Sequence, residues 1–186
     1  MRAIAQTNLQ LYNQMQERQL PLADLLLVRK AYDLAALLTA GYYQADGKPF
    51  LCHTTGVASI LCHIGSPANF LAFGLLHNVY TNGDFGDGLN TPLTAHKRNF
   101  VRERVGNEVE DLITRFRDLR VKRTNMDQIE AGQDAMSDTD RLLIAADLAD
   151  HMEKYVDRGV LYFGDGSWIT NKMDTTGPRL VALARK

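Results

Sequence analysis

The stretch ANFLAFGLLHNVY, residues 68–80, is apolar almost all the way round and closes on a histidine and an asparagine. A helix without a polar face is stable only where other elements cover it on every side, so this run predicts the centre of a core. Just before it, Ser66 reads as an N-cap and Pro67 as a first-turn residue that needs no amide hydrogen. The flanking sequence has the same helical period. Residues 22–38 carry Leu25, Leu26, Tyr32, Ala35 and Ala36 at helical spacing and stop at Gly41, and residues 53–63 turn Val57, Ile60 and Leu61 inward. A second cap-then-proline pair, Thr91 and Pro92, predicts a new helix whose stripe of Val105, Val109, Leu112, Ile113, Phe116 and Leu119 runs on through Gly106. Residues 122–136 are polar and predict loop or a short helix. Ser137 or Asp138 then caps the strong helix DRLLIAADLADHMEKYV, and a final helix begins near Gly177 after the turn FGDGS. Alternation of period two is nowhere long enough to specify a strand, so the predicted fold class is all-α.

Residues 3–18 have a weaker pattern (Ile4, Leu11, Met15) that Leu20 and Pro21 cut off. They predict an N-terminal helical arm over 1–21, beside a helical domain over 22–186. An arm of this kind packs on the body or on a partner, which leaves a homodimer as one outcome. With 21 Lys plus Arg against 22 Asp plus Glu, the net charge of -1 offers no general attraction to nucleic acid or to an anionic membrane. The run LADLLLV is too short to span a bilayer and the N-terminus lacks the apolar core of a signal peptide, so a cytoplasmic protein is expected. Cys52 and Cys62, joined by a helix, would stand about 15 Å apart, too far for a disulfide.

Chemistry falls on few residues. Of the five histidines, His53 opens a helix and His77 ends the buried one, while Asp147 and His151 share a face of the late helix. Imidazole and carboxylate groups sent from separate core helices to one point are the raw material of a divalent metal site, although a histidine near a helix end, taken alone, is more often a hydrogen-bonded structural residue. The repeated Cys-His pairs at 52–53 and 62–63 are too widely separated along a helix to share one ion. Asp84 lies in the loop after His77, where it serves either a turn or a site. The basic run RFRDLRVKR, residues 115–123, fits a solvated helix end or a phosphate-bearing ligand.

The order GKPFLCH, GLLHN, VGNEVEDLI and LLIAADLADHM resembles the HD-domain superfamily, and in particular RelA/SpoT-type guanosine tetraphosphate hydrolases, over roughly residues 30–155. The string LLHNVYTNGDFG also resembles a bacterial branch of the superfamily without an assigned activity. The resemblance implies an HD-domain-like helical bundle with metal ligands at His53, His77, Asn78 and Asp147 and a divalent cofactor such as manganese, iron, zinc or magnesium. Asn78 stands where the family has aspartate, which removes a negative charge and predicts weakened or absent metal binding. Thr81 and Asn82 replace the family's catalytic Glu-Asp pair, and Gln44 replaces an arginine. Asp84 and Asp150 are then the candidate acids for positioning a water. Lys48, Tyr80, Arg98 and Lys154 are candidates for gripping a small phosphorylated molecule or nucleotide. The implied function is a metal-dependent phosphohydrolase; the alternative is a catalytically silent fold that binds a metabolite or acts as an interaction module.

Overall fold

The computed structural model describes residues 3–119, 126–156, 159–162 and 164–184. Of the basic run, Arg120, Lys122 and Arg123 lie outside the described residues. The chain is all-α: α1 (Asn8–Glu17), α2 (Leu22–Thr39), α3 (Phe50–His63), α4 (Ala68–Leu76), α5 (Val79–Asn82), α6 (Ala95–Val105), α7 (Asn107–Leu119), α8 (Met126–Ala131), α9 (Asp138–Val156), α10 (Ser167–Thr175) and α11 (Gly177–Ala184). Among the described residues, extended pairing is confined to one bridge between Tyr43 and Pro49, and no helix is long and apolar enough to cross a membrane.

Helix α4 is the centre the sequence predicts. Every one of its residues except Asn69 is buried, and α2, α3 and α7 pack around it. Gly74 permits the close approach of α3, because a Cβ there would lie 2.9 Å from Leu61 Cδ1 and 3.1 Å from Ala58 Cα. The helix ends sooner than its apolar run. The His77 ring donates from Nδ1 to the Gly74 carbonyl at 2.8 Å, taking the acceptor that the amide of residue 78 would use in a continued helix. Asn78 then turns out of helical geometry at φ -119° and ψ 12° before α5 begins.

Other boundaries shift for local reasons. Pro67 itself stands at the N-cap of α4 and the Ser66 hydroxyl is buried without capping it. Thr94, not Thr91, caps α6, its side chain accepting from the Lys97 amide; Thr91 accepts instead from the Lys97 ammonium. Gly106, at φ 89°, breaks the predicted continuous stripe into α6 and α7. Ser137 caps α9, its hydroxyl accepting from the Asp140 amide at 3.2 Å.

The N-terminal helix starts with a reciprocal cap between Thr7 and Gln10 and packs on the body. Leu11 and Met15 are fully buried in the main core, the Ala5 amide donates to Ser59 Oγ at 2.9 Å, and Arg18 donates to the Ser66 and Gly65 carbonyls at 2.8 and 3.0 Å. At the other end, α11 lies on α9, where Leu180 and Leu183 join Met126 and Ile144 in a second small core. Cys52 and Cys62 are free thiols.

Candidate metal centre

Three core helices meet at one point. His53 comes from the first turn of α3, His77 from the end of α4 and Asp150 from the middle of α9. All three are buried, and each offers one ligand atom such that the three atoms lie within 4.8 Å of one another. His53 Nε2 is 3.0 Å and His77 Nε2 is 3.7 Å from Asp150 Oδ1, with the two rings edge to face at 5.5 Å. Phe73 and Phe116 pack against the His77 ring and fix its plane.

The outward nitrogens decide what the inward ones present. His53 Nδ1 lies 2.6 Å from Glu153 Oε2, and His77 Nδ1 bonds the Gly74 carbonyl. Each acceptor assigns the ring hydrogen to Nδ1 in the neutral imidazole, which leaves both Nε2 lone pairs directed at the Asp150 carboxylate. Lone pairs gathered at this distance require a cation or a proton among them. A carboxylate or a carbonyl behind each imidazole is also how metal-binding histidines are held. The Asn78 side-chain oxygen, lining the same cleft, is buried with no hydrogen-bond partner. This donor set of two imidazoles, one carboxylate and one unused amide oxygen fits a divalent ion.

Charge in the surrounding shell is balanced by lysines. Lys154 Nζ bonds the Asp150 carboxylate, and Lys48 Nζ is 2.5 Å from Glu153 Oε1. Burial alone would push the Asp150 carboxyl up. The adjacent Lys154 ammonium is the largest influence opposing burial, and the carboxyl is held well below the usual carboxylate range. Burial likewise opposes ionisation of Glu153, and His53 and then Lys48 reverse it, so this carboxyl is lowered too. Gly56 makes room for the arrangement, since a Cβ there would sit 2.6 Å from Glu153 Cγ.

A cleft of about 70 Å³ opens from the group, lined by His77, Asn78, Tyr80, Phe116, Arg117 and Asp150 among others. That is room for several waters or a phosphoryl group rather than a whole nucleotide. Thr81 and Asn82 also line it.

The remaining candidates are distributed as follows. Asp147 is buried but belongs to another contact, its Oδ2 lying 2.8 Å from Lys172 Nζ on α10; it is not in the three-residue group. His151 bonds back to the Asp147 carbonyl at 2.6 Å and abuts Trp168. Asp84 is occupied in its own loop, accepting from Tyr42 Oη and from the Gly86 and Gly88 amides. Those bonds hold its carboxyl below the usual range. Tyr80 lines the cleft, yet its hydroxyl donates to Glu110 at 3.0 Å. Arg98 forks onto the same Glu110 at 2.7 and 2.9 Å and does not line the cleft. Lys48 and Lys154 face Glu153 and Asp150 rather than open space. Arg117 belongs to the basic run that the sequence offers to a phosphate-bearing ligand, whereas Glu153 is the residue passed over. A glutamate three positions after Asp150 shares its helix face, which was the available signal for Glu153.

A family model described as a domain of unknown function, DUF6817, matches residues 35–120. That span holds His53, His77 and Asn78 and stops short of Asp150. A probable GTP pyrophosphokinase of Mycobacterium leprae is 26% identical over 126 residues, covering 68% of this chain and 14% of that protein. The bifunctional (p)ppGpp synthase/hydrolase RelA of Mycobacterium tuberculosis is 34% identical over 59 residues, 32% of this chain and 8% of that protein. The chain therefore spans a small fraction of the length of the curated relatives it matches, and its similarity to RelA/SpoT-type proteins is partial.

Proposed function

We propose that this chain is an HD-like metal-dependent phosphohydrolase acting on a small phosphate ester or nucleotide. The observation that carries the reading is the convergence of His53, His77 and the Asp150 carboxylate beside a cleft that His77 and Asp150 line. His53, His77 and Asp150, with Asn78 as a further candidate, would hold a divalent ion, which when bound would supply polarisation of a phosphoryl oxygen and activation of a water. The two imidazoles favour iron or zinc over magnesium, and the carboxylate and amide oxygens also suit manganese. The protein's own groups do the rest. Arg117, the one cation among the described residues lining the cleft, neutralises the incoming phosphate, while Phe116 and Ile113 exclude water from one wall. Thr81 and Asn82 offer neutral hydrogen bonds where the similar hydrolases have acids. The partial similarity to proteins named for GTP and (p)ppGpp chemistry supports a nucleotide as the phosphate donor.

Those neutral groups also favour a second reading, a binding module that holds a phosphorylated metabolite without turning it over. One experiment separates the two. Purified protein is assayed for bound transition metal and for phosphate release from a panel of nucleotides and phosphate esters with added Mn²⁺. Metal-dependent release abolished by Asp150→Asn supports the hydrolase. Saturable nucleotide binding without release supports the binding module, and absence of metal from a folded protein given excess Mn²⁺ overturns the proposal.

A further inference from the structure

Each buried acid on the inner face of α9 has its own lysine. Asp147 faces Lys172 at 2.8 Å, Glu153 faces Lys48 at 2.5 Å, and Asp150 is bonded by Lys154. The third pair differs from the others in where its ammonium lies. Lys154 Nζ bonds Asp150 Oδ1, donates to the Asp150 main-chain oxygen at 3.1 Å and lies 3.5 Å from His53 Nε2. An ammonium has three hydrogens, and three acceptors surround this one. It therefore has none left for a phosphate, and Lys154 does not act as an anion-binding group in this arrangement.

Two of those acceptors are the atoms a metal would need. Asp150 Oδ1 is the carboxylate oxygen nearest both histidines, and His53 Nε2 has a single lone pair once Glu153 takes the hydrogen at Nδ1. A lone pair serves one cation at a time. Two cations within bonding distance of one carboxylate oxygen in a buried site would also repel each other strongly.

We propose that Lys154 is an internal competitor for the metal position, so that the site has two mutually exclusive forms, one filled by the Lys154 ammonium and one by a divalent cation. This rests on the metal-site reading above and adds to it how occupancy is regulated. The ammonium-filled form keeps Asp150 ionised and the two imidazoles in place without metal. Filling by metal requires the lysine to leave. Lys154 thus sets the threshold of free metal at which the site loads, and it excludes ions too weak to displace it.

The test is Mn²⁺ affinity by equilibrium dialysis and electron paramagnetic resonance on the full chain, comparing wild type with Lys154→Met and Lys154→Gln and with Asp150→Asn as the site control. Both lysine variants are expected to bind Mn²⁺ at least about tenfold more tightly than wild type, since each removes the competing charge at similar side-chain length. A second readout needs no substitution and decides the matter if either variant fails to fold. Reductive methylation of Lys154 in wild type, followed by mass spectrometry, should rise when Mn²⁺ is added, because the displaced amine leaves its buried acceptors. Equal affinity in wild type and both variants, or labelling of Lys154 that Mn²⁺ leaves unchanged, overturns the competition while the metal site survives. Binding by the lysine variants but not by wild type supports the competition and overturns metal-dependent hydrolysis by the natural chain. Binding by none of them, or binding that persists in Asp150→Asn, overturns both.

Discussion

At Asn78 the cleft offers an amide oxygen that nothing among the described residues hydrogen-bonds. Asn78→Asp places a carboxylate at the same position and should tighten Mn²⁺ binding by on the order of tenfold, read by calorimetry; unchanged affinity would mean that residue 78 does not reach the ion. Glu153 works from behind. Glu153→Gln replaces the anion that orients His53 and should weaken Mn²⁺ binding about 10- to 100-fold with little change in helical content, a pair of measurements that a merely packing role would not separate. Legibility at this scale was uneven. His53 and His77 stand out because histidines are few and their flanking motifs are specific. The carboxylate was ambiguous because LLIAADLADHM contains Ala-Asp twice. Motif matching selects the first, Asp147, whereas the described geometry groups the second with the histidines. The difference of three positions is less than one turn, yet Asp147 pairs with Lys172 of α10 while Asp150 faces the two histidines.

At the scale of elements, the join between α6 and α7 is clamped by one carboxylate. Glu110 accepts from Arg98, Thr114 and Tyr80 and pairs with Arg102 at 2.8 Å. Burial pushes its carboxyl up, but the hydrogen bonds from Arg98, Thr114 and Tyr80 prevail and bring it from 4.5 to about 2. A carboxyl lowered on folding stabilises the protein fully above its unfolded value and loses that contribution as pH falls toward its folded value. Stability from this clamp should therefore fade between pH 4.5 and about 2. Urea midpoints at about pH 5 and about pH 2.5 should differ less in Glu110→Gln than in wild type; an identical acid dependence would show that the clamp contributes nothing. The stripe from Val105 to Leu119 was readable, and its interruption was not, because periodicity survives a break when the glycine between the two helices keeps both apolar faces on one core. The end of α4 was hidden for a related reason: the side chain of His77, not its propensity, takes the carbonyl that would have carried the helix on.

For the whole molecule, helical class and the central place of α4 were legible, since an all-round apolar run has only one place to go. The seat of the first helix was not, because the weak pattern of residues 3–18 suits a body or a partner equally. Here Leu11 and Met15 fill the main core, and Leu11→Ala should cost about 2–5 kcal/mol in urea unfolding. A loss near zero would mean that the helix is dispensable to the fold. In the last third of the chain α9 and a final helix from Gly177 were legible, whereas α10 and the docking of α10 and α11 on α9 followed from no motif. The contribution of α10 at Lys172 completes a set of enclosed acid–base pairs, and this has a consequence for solution conditions. Counter-ions weaken attractions between charges they can surround. They have little access to Asp150, Glu153 and Lys154, which are each less than a tenth exposed, whereas the pair of Arg102 and Asp111 is open to solvent. Raising ionic strength should loosen that surface pair and leave the interior charges locked, so that potassium chloride alone is a poor means of emptying or filling the centre.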